Sequence, residues 1–314
     1  MKSVLITGAD RGVGYCLTEV FLREGWKVYA GQFLTSWPWL DELKSKHRDT
    51  LTVLPLDVGS DESVCSAAEK VEKLDMLISN AGIPGGEDEA GLRSVYNVNT
   101  LAAIRLVEAL LPKMETGMKR LAFVSSEAGV ITIAHRDGGL GYTLSKAMLN
   151  MTVDCMFREL RPKGYTFRLY HPGWVNSYMS GVKNTHGRVE PEETAEAAFR
   201  QFTQDRAWED TLIMTDVYDH IWPWYGDGAD GKKHSDDRYR ARRVRPCSHE
   251  PQGARLPCDS RAEGEAGSPW RGGGCGQLDG CRRCACTGGR TGSHRRAGAG
   301  RAALPGGWPH WYGP

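Results

Sequence analysis

The chain has 314 residues, enough for one large core or two modest ones. Lys and Arg number 40 against 39 Asp and Glu, and this near balance excludes a uniformly basic nucleic-acid-binding protein. The longest apolar runs fall well short of the roughly 18 residues that suggest a membrane-spanning helix, and MKSVLITGAD has too short an apolar run for a signal peptide.

Composition changes sharply near residue 227. Residues 1–226 hold every Phe, Ile and Met, with 24 basic and 30 acidic side chains. Residues 227–314 hold 18 Gly, 7 Pro and 14 Arg, and their only aliphatics beyond Ala are Val244, Leu256, Leu278 and Leu304. So little apolar surface cannot offset the entropy of ordering the segment, which predicts one domain over 1–226 and a disordered tail over 227–314. The lack of Ile, Phe and Met also fits a translated non-coding stretch. Arginine among glycines without interleaved aromatics is weak support for nucleic-acid binding by the tail. Cys275, Cys281, Cys284 and Cys286 follow a C-x5-C-x2-C-x-C spacing with no histidine or strand context, so no metal site is expected. Cys16, Cys65 and Cys155 lie scattered in periodic segments, as reduced thiols of a cytoplasmic protein would.

Within the body, VLITG reads as a short buried strand ended by glycine, and the helical spacing of Val13, Leu17, Val20 and Phe21 follows it, with Gly25 as the stop. Further strands are expected at 27–31, 51–57 and 75–82, with a helix opened by Ser60 between the last two. A long helix at about 93–116, a strand at 120–126, a helix at about 142–161 and strands at 165–173 and 211–219 complete the pattern. Regular alternation of this kind predicts an α/β, Rossmann-type, doubly wound parallel sheet of seven strands with helices on both faces.

Three stretches carry chemistry. TGADRGVG, residues 7–14, opens the first helix directly after the first strand, where glycines let a phosphate approach bare backbone N–H groups. AGQF after the second strand ends without the carboxylate that would favour NAD, while Arg11 offers a guanidinium to a 2′-phosphate; a solvated Arg11 with NAD bound is the alternative. Tyr142 and Lys146 stand one helical turn apart on one face. A phenol exchanges protons poorly near neutrality unless its phenolate is stabilised, and an ammonium one turn away does that in a partly dry cleft.

The pattern TGxxxGxG, followed by YxxxK, resembles the short-chain dehydrogenase/reductase family over residues 3–226, and most closely its C-factor and sniffer-like carbonyl reductases. The resemblance implies a catalytic set of Asn99, Ser126, Tyr142 and Lys146. It implies a cofactor site of Gly8, Asp10, Arg11, Gly12, Val13, Gly14, Gln32, Asp57, Val58, Asn80, Ala81, Gly82, Tyr142, Lys146, Pro172, Gly173, Val175 and Ser177. In the family the Asp after the third strand meets adenine, and the Asn matched by Asn99 holds a water near the lysine. On residue chemistry alone Asp57 could equally cap a helix, Ser125 competes with Ser126, and Asn97 is the less favoured asparagine. Ser126 precedes Tyr142 by 16 residues where the family's usual spacing is about 13, through an inserted ITIAHRDGGLG loop. His171 is expected to be structural, because the tyrosine already fills the acid role. Trp174, Tyr178 and Met179 would belong to a lid and suit an uncharged carbonyl or alcohol substrate, although such a stripe can also be ordinary lid packing.

The implied activity is NADPH-preferring reduction of a carbonyl, without a metal, by a homodimer or homotetramer. The alternative is a non-catalytic, nucleotide-binding signalling protein of the same fold.

Overall fold

A crossover helix follows nearly every strand of the body, and the order of the strands sets where a crevice opens. The computed structural model describes residues 1–133 and 138–223. Expectations about the tail, its cysteine cluster and part of the inserted loop lie outside those residues.

Strands β1 (Ser3–Ile6), β2 (Lys27–Gln32), β3 (Leu51–Pro55), β4 (Met76–Ser79), β5 (Arg120–Val124), β6 (Thr166–His171), β7 (Met214–Asp216) and β8 (Ile221–Trp222) form one sheet in the order β3-β2-β1-β4-β5-β6-β7-β8. All pairings are parallel except β7 with β8. All four β1 residues are buried, and after Ser3 the strand is apolar on both faces. Winding reverses between β1 and β4, so a crevice opens at their carboxyl ends.

Among the described residues the sheet has eight strands where the sequence predicted seven. The eighth is a two-residue strand too short for any periodicity to reveal. Asp219 turns the chain with φ 62°, and Trp222 Nε1 donates to Asp216 Oδ2 at 3.1 Å, which pins β8 to the edge of β7.

Helices α1 (Gly12–Arg23), α2 (Trp39–Lys46), α3 (Asp61–Glu69), α4 (Glu89–Tyr96), α5 (Ala102–Met114), α6 (Leu140–Leu160) and α7 (Pro191–Thr203) link the strands. The helix expected at 93–116 is two helices joined by a π-helical turn at Asn97–Leu101, which widens the spiral where two asparagines reach sideways. Leu17, Val20 and Phe21 of α1 share a core with Ala195, Ala198 and Phe202 of α7. Phe21 meets Trp26 and Phe199 edge-on at 5.1 and 4.8 Å, and burying a side chain of that size contributes about 2–3 kcal/mol.

Candidate active site

At the carboxyl ends of β1 and β4 the two strands are stapled together. Thr7 Oγ1 accepts from Asn80 N and Ala81 N, both at 3.0 Å, and Asn80 Nδ2 donates to Thr7 O at 2.9 Å. Gly8 has φ 63° and Gly12 φ 59°, conformations that disfavour a side chain. At Gly14 even a Cβ would lie 2.0 Å from Gly8 O, so backbone closes over backbone there. Helix α1 begins at Gly12 after Arg11, with no side-chain cap and no acidic residue in its first turn. The crevice end of α1 therefore presents bare N–H groups, with Val13 half-buried beside them.

Around this loop the acidic and basic neighbours are fixed. Buried Asp10 accepts from Phe33 N at 3.2 Å, just past Gln32, and pairs with Arg11 Nη1 at 2.6 Å. Arg11 Nε donates to Tyr178 O at 3.0 Å and its guanidinium lies over Trp37 at 5.7 Å. Tyr178 meets Trp37 and Trp39 edge-on at 5.4 and 5.3 Å. This aromatic clasp was not legible in the sequence, because Trp37 and Trp39 follow no periodic pattern and Tyr178 is remote in the chain. Tyr178, expected over substrate, is turned to the glycine loop, and Trp174 is 56% exposed.

Asp57 Oδ1 accepts from Gly59 N at 2.8 Å and its own N–H donates to Ser63 Oγ, so it folds the turn into α3; Val58 is buried beside it. Asn97 bonds Gly59 O and Arg105, which ties the π-helical turn to that loop. Asn99 is the asparagine aimed at the crevice wall: its Oδ1 accepts from Ile83 N at 2.9 Å, and its Nδ2 donates to Ile83 O and Ser145 Oγ, each at 3.0 Å. A Cβ on Gly82 would stand 3.4 Å from Asn99 Oδ1 and 3.9 Å from Lys146 Nζ, so the three residues share one corner.

Lys146 is buried on α6. Its Nζ donates to Val124 O at 3.0 Å and lies 5.6 Å from the centre of the half-buried Tyr142 ring. Loss of hydration on burial lowers the ammonium's pKa to about 8. Ser126 caps the short 127–129 turn, accepts from Ala128 N at 3.1 Å and donates to Glu127 Oε2 at 2.6 Å. Ser125, its competitor, donates to Asn150 Oδ1 in the core. Glu127, which the sequence did not single out, also lies 3.2 Å from His171 Nδ1.

Beyond β6, Pro172 O accepts from Thr194 Oγ1 at 2.9 Å and Gly173 turns with φ 81°. Val175 bridges to Val189, and Ser177 O accepts from Asn184 N at 2.9 Å. These bonds hold the segment after β6 beside the crevice through its backbone.

The short chain dehydrogenase family matches residues 2–187, and the chain belongs to it. It is an oxidoreductase that moves hydride between a nicotinamide nucleotide and a carbonyl or alcohol carbon. It is 40% identical over 120 residues to the C-signal protein of Myxococcus xanthus, an alignment covering 36% of this chain and 72% of that one. It is 30% identical over 232 residues to the short-chain dehydrogenase/reductase atnB of Arthrinium sp, covering 65% and 85%. The NADPH-bound carbonyl reductase from chicken fatty liver superposes with a TM-score of 0.63 at 27% identity, covering 71% of this chain and 99% of that one. The Drosophila melanogaster carbonyl reductase Sniffer shares the fold with a TM-score of 0.64 at 20% identity, covering 71% and 100%.

The crevice fits such a nucleotide. The closed glycine loop and the uncapped start of α1 suit a pyrophosphate, and Gly82 brings bare backbone to the corner shared by Asn99 and Lys146.

Proposed function

We propose that the chain is an NADPH-preferring reductase of small uncharged ketones or aldehydes, with Tyr142 as proton donor. Bound nucleotide supplies the hydride. Tyr142 gives its phenolic proton to the substrate oxygen, and the Lys146 ammonium stabilises the phenolate left behind and bonds the nicotinamide ribose. Ser126 holds the substrate oxygen, and Asn99 keeps the π-helical turn in place behind Lys146. Gly8, Gly12, Val13, Gly14 and the N–H groups of α1 take the pyrophosphate. Asp57, Val58, Asn80, Ala81 and Gly82 line the adenosine and nicotinamide halves, and Pro172, Gly173, Val175 and Ser177 meet the carboxamide. Arg11, with Asp10 and Gln32 beside it, sets the preference for NADPH.

The observation that carries this reading is the buried Lys146 ammonium, 5.6 Å from the Tyr142 ring, with a single carbonyl as hydrogen-bond acceptor among the described residues. The reading includes a cytoplasmic location, consistent with free Cys16, Cys65 and Cys155. It also includes self-association through α6, whose Leu140, Leu144, Met148 and Met151 are exposed along one face.

NADPH-dependent reduction of a carbonyl panel tests the reading. Tyr142→Phe is expected to lower kcat by about a hundredfold or more, a far larger effect than any on nucleotide affinity. Equal activity in the variant removes Tyr142 from the role. Tight nucleotide binding with no turnover on any carbonyl favours a second reading, a nucleotide-binding signalling protein, which the 40% identity to C-signal supports.

A further inference from the structure

At the carboxyl ends of β5 and β6 three side chains form a line that the proposed mechanism does not use in full. Ser126 Oγ donates to Glu127 Oε2 at 2.6 Å, and His171 Nδ1 lies 3.2 Å from the same oxygen. Glu127 is 7% and His171 8% exposed, and the Trp222 ring closes on His171 edge-on at 5.2 Å. The 127–129 turn is pressed against α6 at the level of the lysine, because a Cβ on Gly129 would come within 2.6 Å of Lys146 O.

A hydroxyl carries one proton and two lone pairs. While Glu127 is ionised, the Ser126 proton is held by a carboxylate, a stronger acceptor than a ketone oxygen, and Ser126 has nothing left to donate to substrate. With a proton on Glu127 the direction reverses. The two lone pairs of Ser126 then accept from Ala128 N–H and from the Glu127 carboxylic acid, and the Ser126 proton is released towards the substrate oxygen. His171 Nδ1 stands where an imidazolium can pass its proton to Glu127 Oε2 and become neutral, so no proton is created or lost in the switch.

Resting on the reading of the chain as a carbonyl reductase with Ser126 at the substrate oxygen, we propose that Glu127 is the positioning residue for Ser126. It works in its protonated form, with the proton drawn from His171. An acid that only donates can be imitated by an amide.

The test compares the native full-length chain with Glu127→Gln and Glu127→Ala in NADPH-dependent carbonyl reduction. The Gln variant is expected to turn over at least about tenfold faster than the Ala variant, with KM and NADPH affinity of the two within about threefold, since loss of a positioned donor is felt mainly in kcat. A ratio below tenfold, or an Ala variant as active as the native chain, overturns the proposal. Ring nitrogen shifts of ¹⁵N-labelled His171, assigned by their loss in His171→Asn, give a readout independent of turnover and decide the matter if the Ala variant does not fold. They are expected to move in Glu127→Gln, and unchanged shifts overturn the coupling. A native chain that binds NADPH but reduces no carbonyl fails the functional reading itself, and the proposal with it. Native activity with a low Gln-to-Ala ratio fails the proposal alone.

Discussion

The same sheet buries cations in two ways. In the amino-terminal halves of β5 and β6, Arg120 and Arg168 are 2% and 1% exposed, and every nitrogen of both guanidiniums is engaged. Arg168 grips Glu209 through two bonds of 2.6 and 2.7 Å and caps the end of α7 through Gln201 O and Gln204 O. Arg120 bonds Phe202 O, Gln204 O, Thr166 Oγ1 and Asp205. Burial, and then the neighbouring Arg168, hold Arg120 below the ordinary arginine value without making it useful for proton exchange. Beyond the carboxyl end of β5, Lys146 is also buried but has one carbonyl as hydrogen-bond partner among the described residues, and its pKa is brought to about 8. A buried cation with a full set of partners is structure. One with too few is held ready for something else.

Substitutions should separate the two ends of the sheet. The largest effect is expected from Arg168→Met, which strands Glu209 and two helix-end carbonyls: urea unfolding should show a loss of about 3–5 kcal/mol. Lys146→Met should behave oppositely. The native lysine titrates near 8 when folded and near its ordinary 10.5 when unfolded, so between those values the unfolded chain binds more protons and native stability rises with pH. At pH 7 the variant should therefore be more stable than the native chain, by up to about 3 kcal/mol at about 1.4 kcal/mol per pH unit, and the gain should vanish as pH passes from about 8 to 10.5. Its turnover should nevertheless fall by about a hundredfold or more. A variant that loses stability at pH 7 would erase the contrast. Arg11 lies between the extremes, ion-paired to Asp10 with its side chain 21% exposed. Arg11→Ala should change stability by less than about 1 kcal/mol while lowering the preference for NADPH over NADH by about tenfold, read from the two kcat/KM values.

Much of this was legible in the sequence because it is local. TGADRGVG needs only its flanking strand and helix to be read, and YxxxK needs only the helical period, so the first crevice wall and the Tyr142–Lys146 pair lie where the pattern put them. Asn99 was separable from Asn97 only through resemblance, and the structure gives the two different partners. What stayed hidden depends on residues far apart in the chain. Trp37, Trp39 and Tyr178 meet across some 140 residues, Glu127 and His171 across 44, and the two-residue β8 is recognisable only once β7 is beside it. No spacing rule reports such meetings. The Arg120–Arg168 network was equally invisible, since an arginine in a strand reads as an exposed edge until α7 is packed over it.

The central claim is that Lys146 is a buried ammonium with an unusually low pKa beside Tyr142. Lysine labelled with ¹³C at Cε, titrated by NMR in the nucleotide-free protein, tests it most directly. One resonance should titrate near 8 and be absent from Lys146→Met. If every lysine instead titrates above about 10, the ammonium is an ordinary one and the account of the site is wrong.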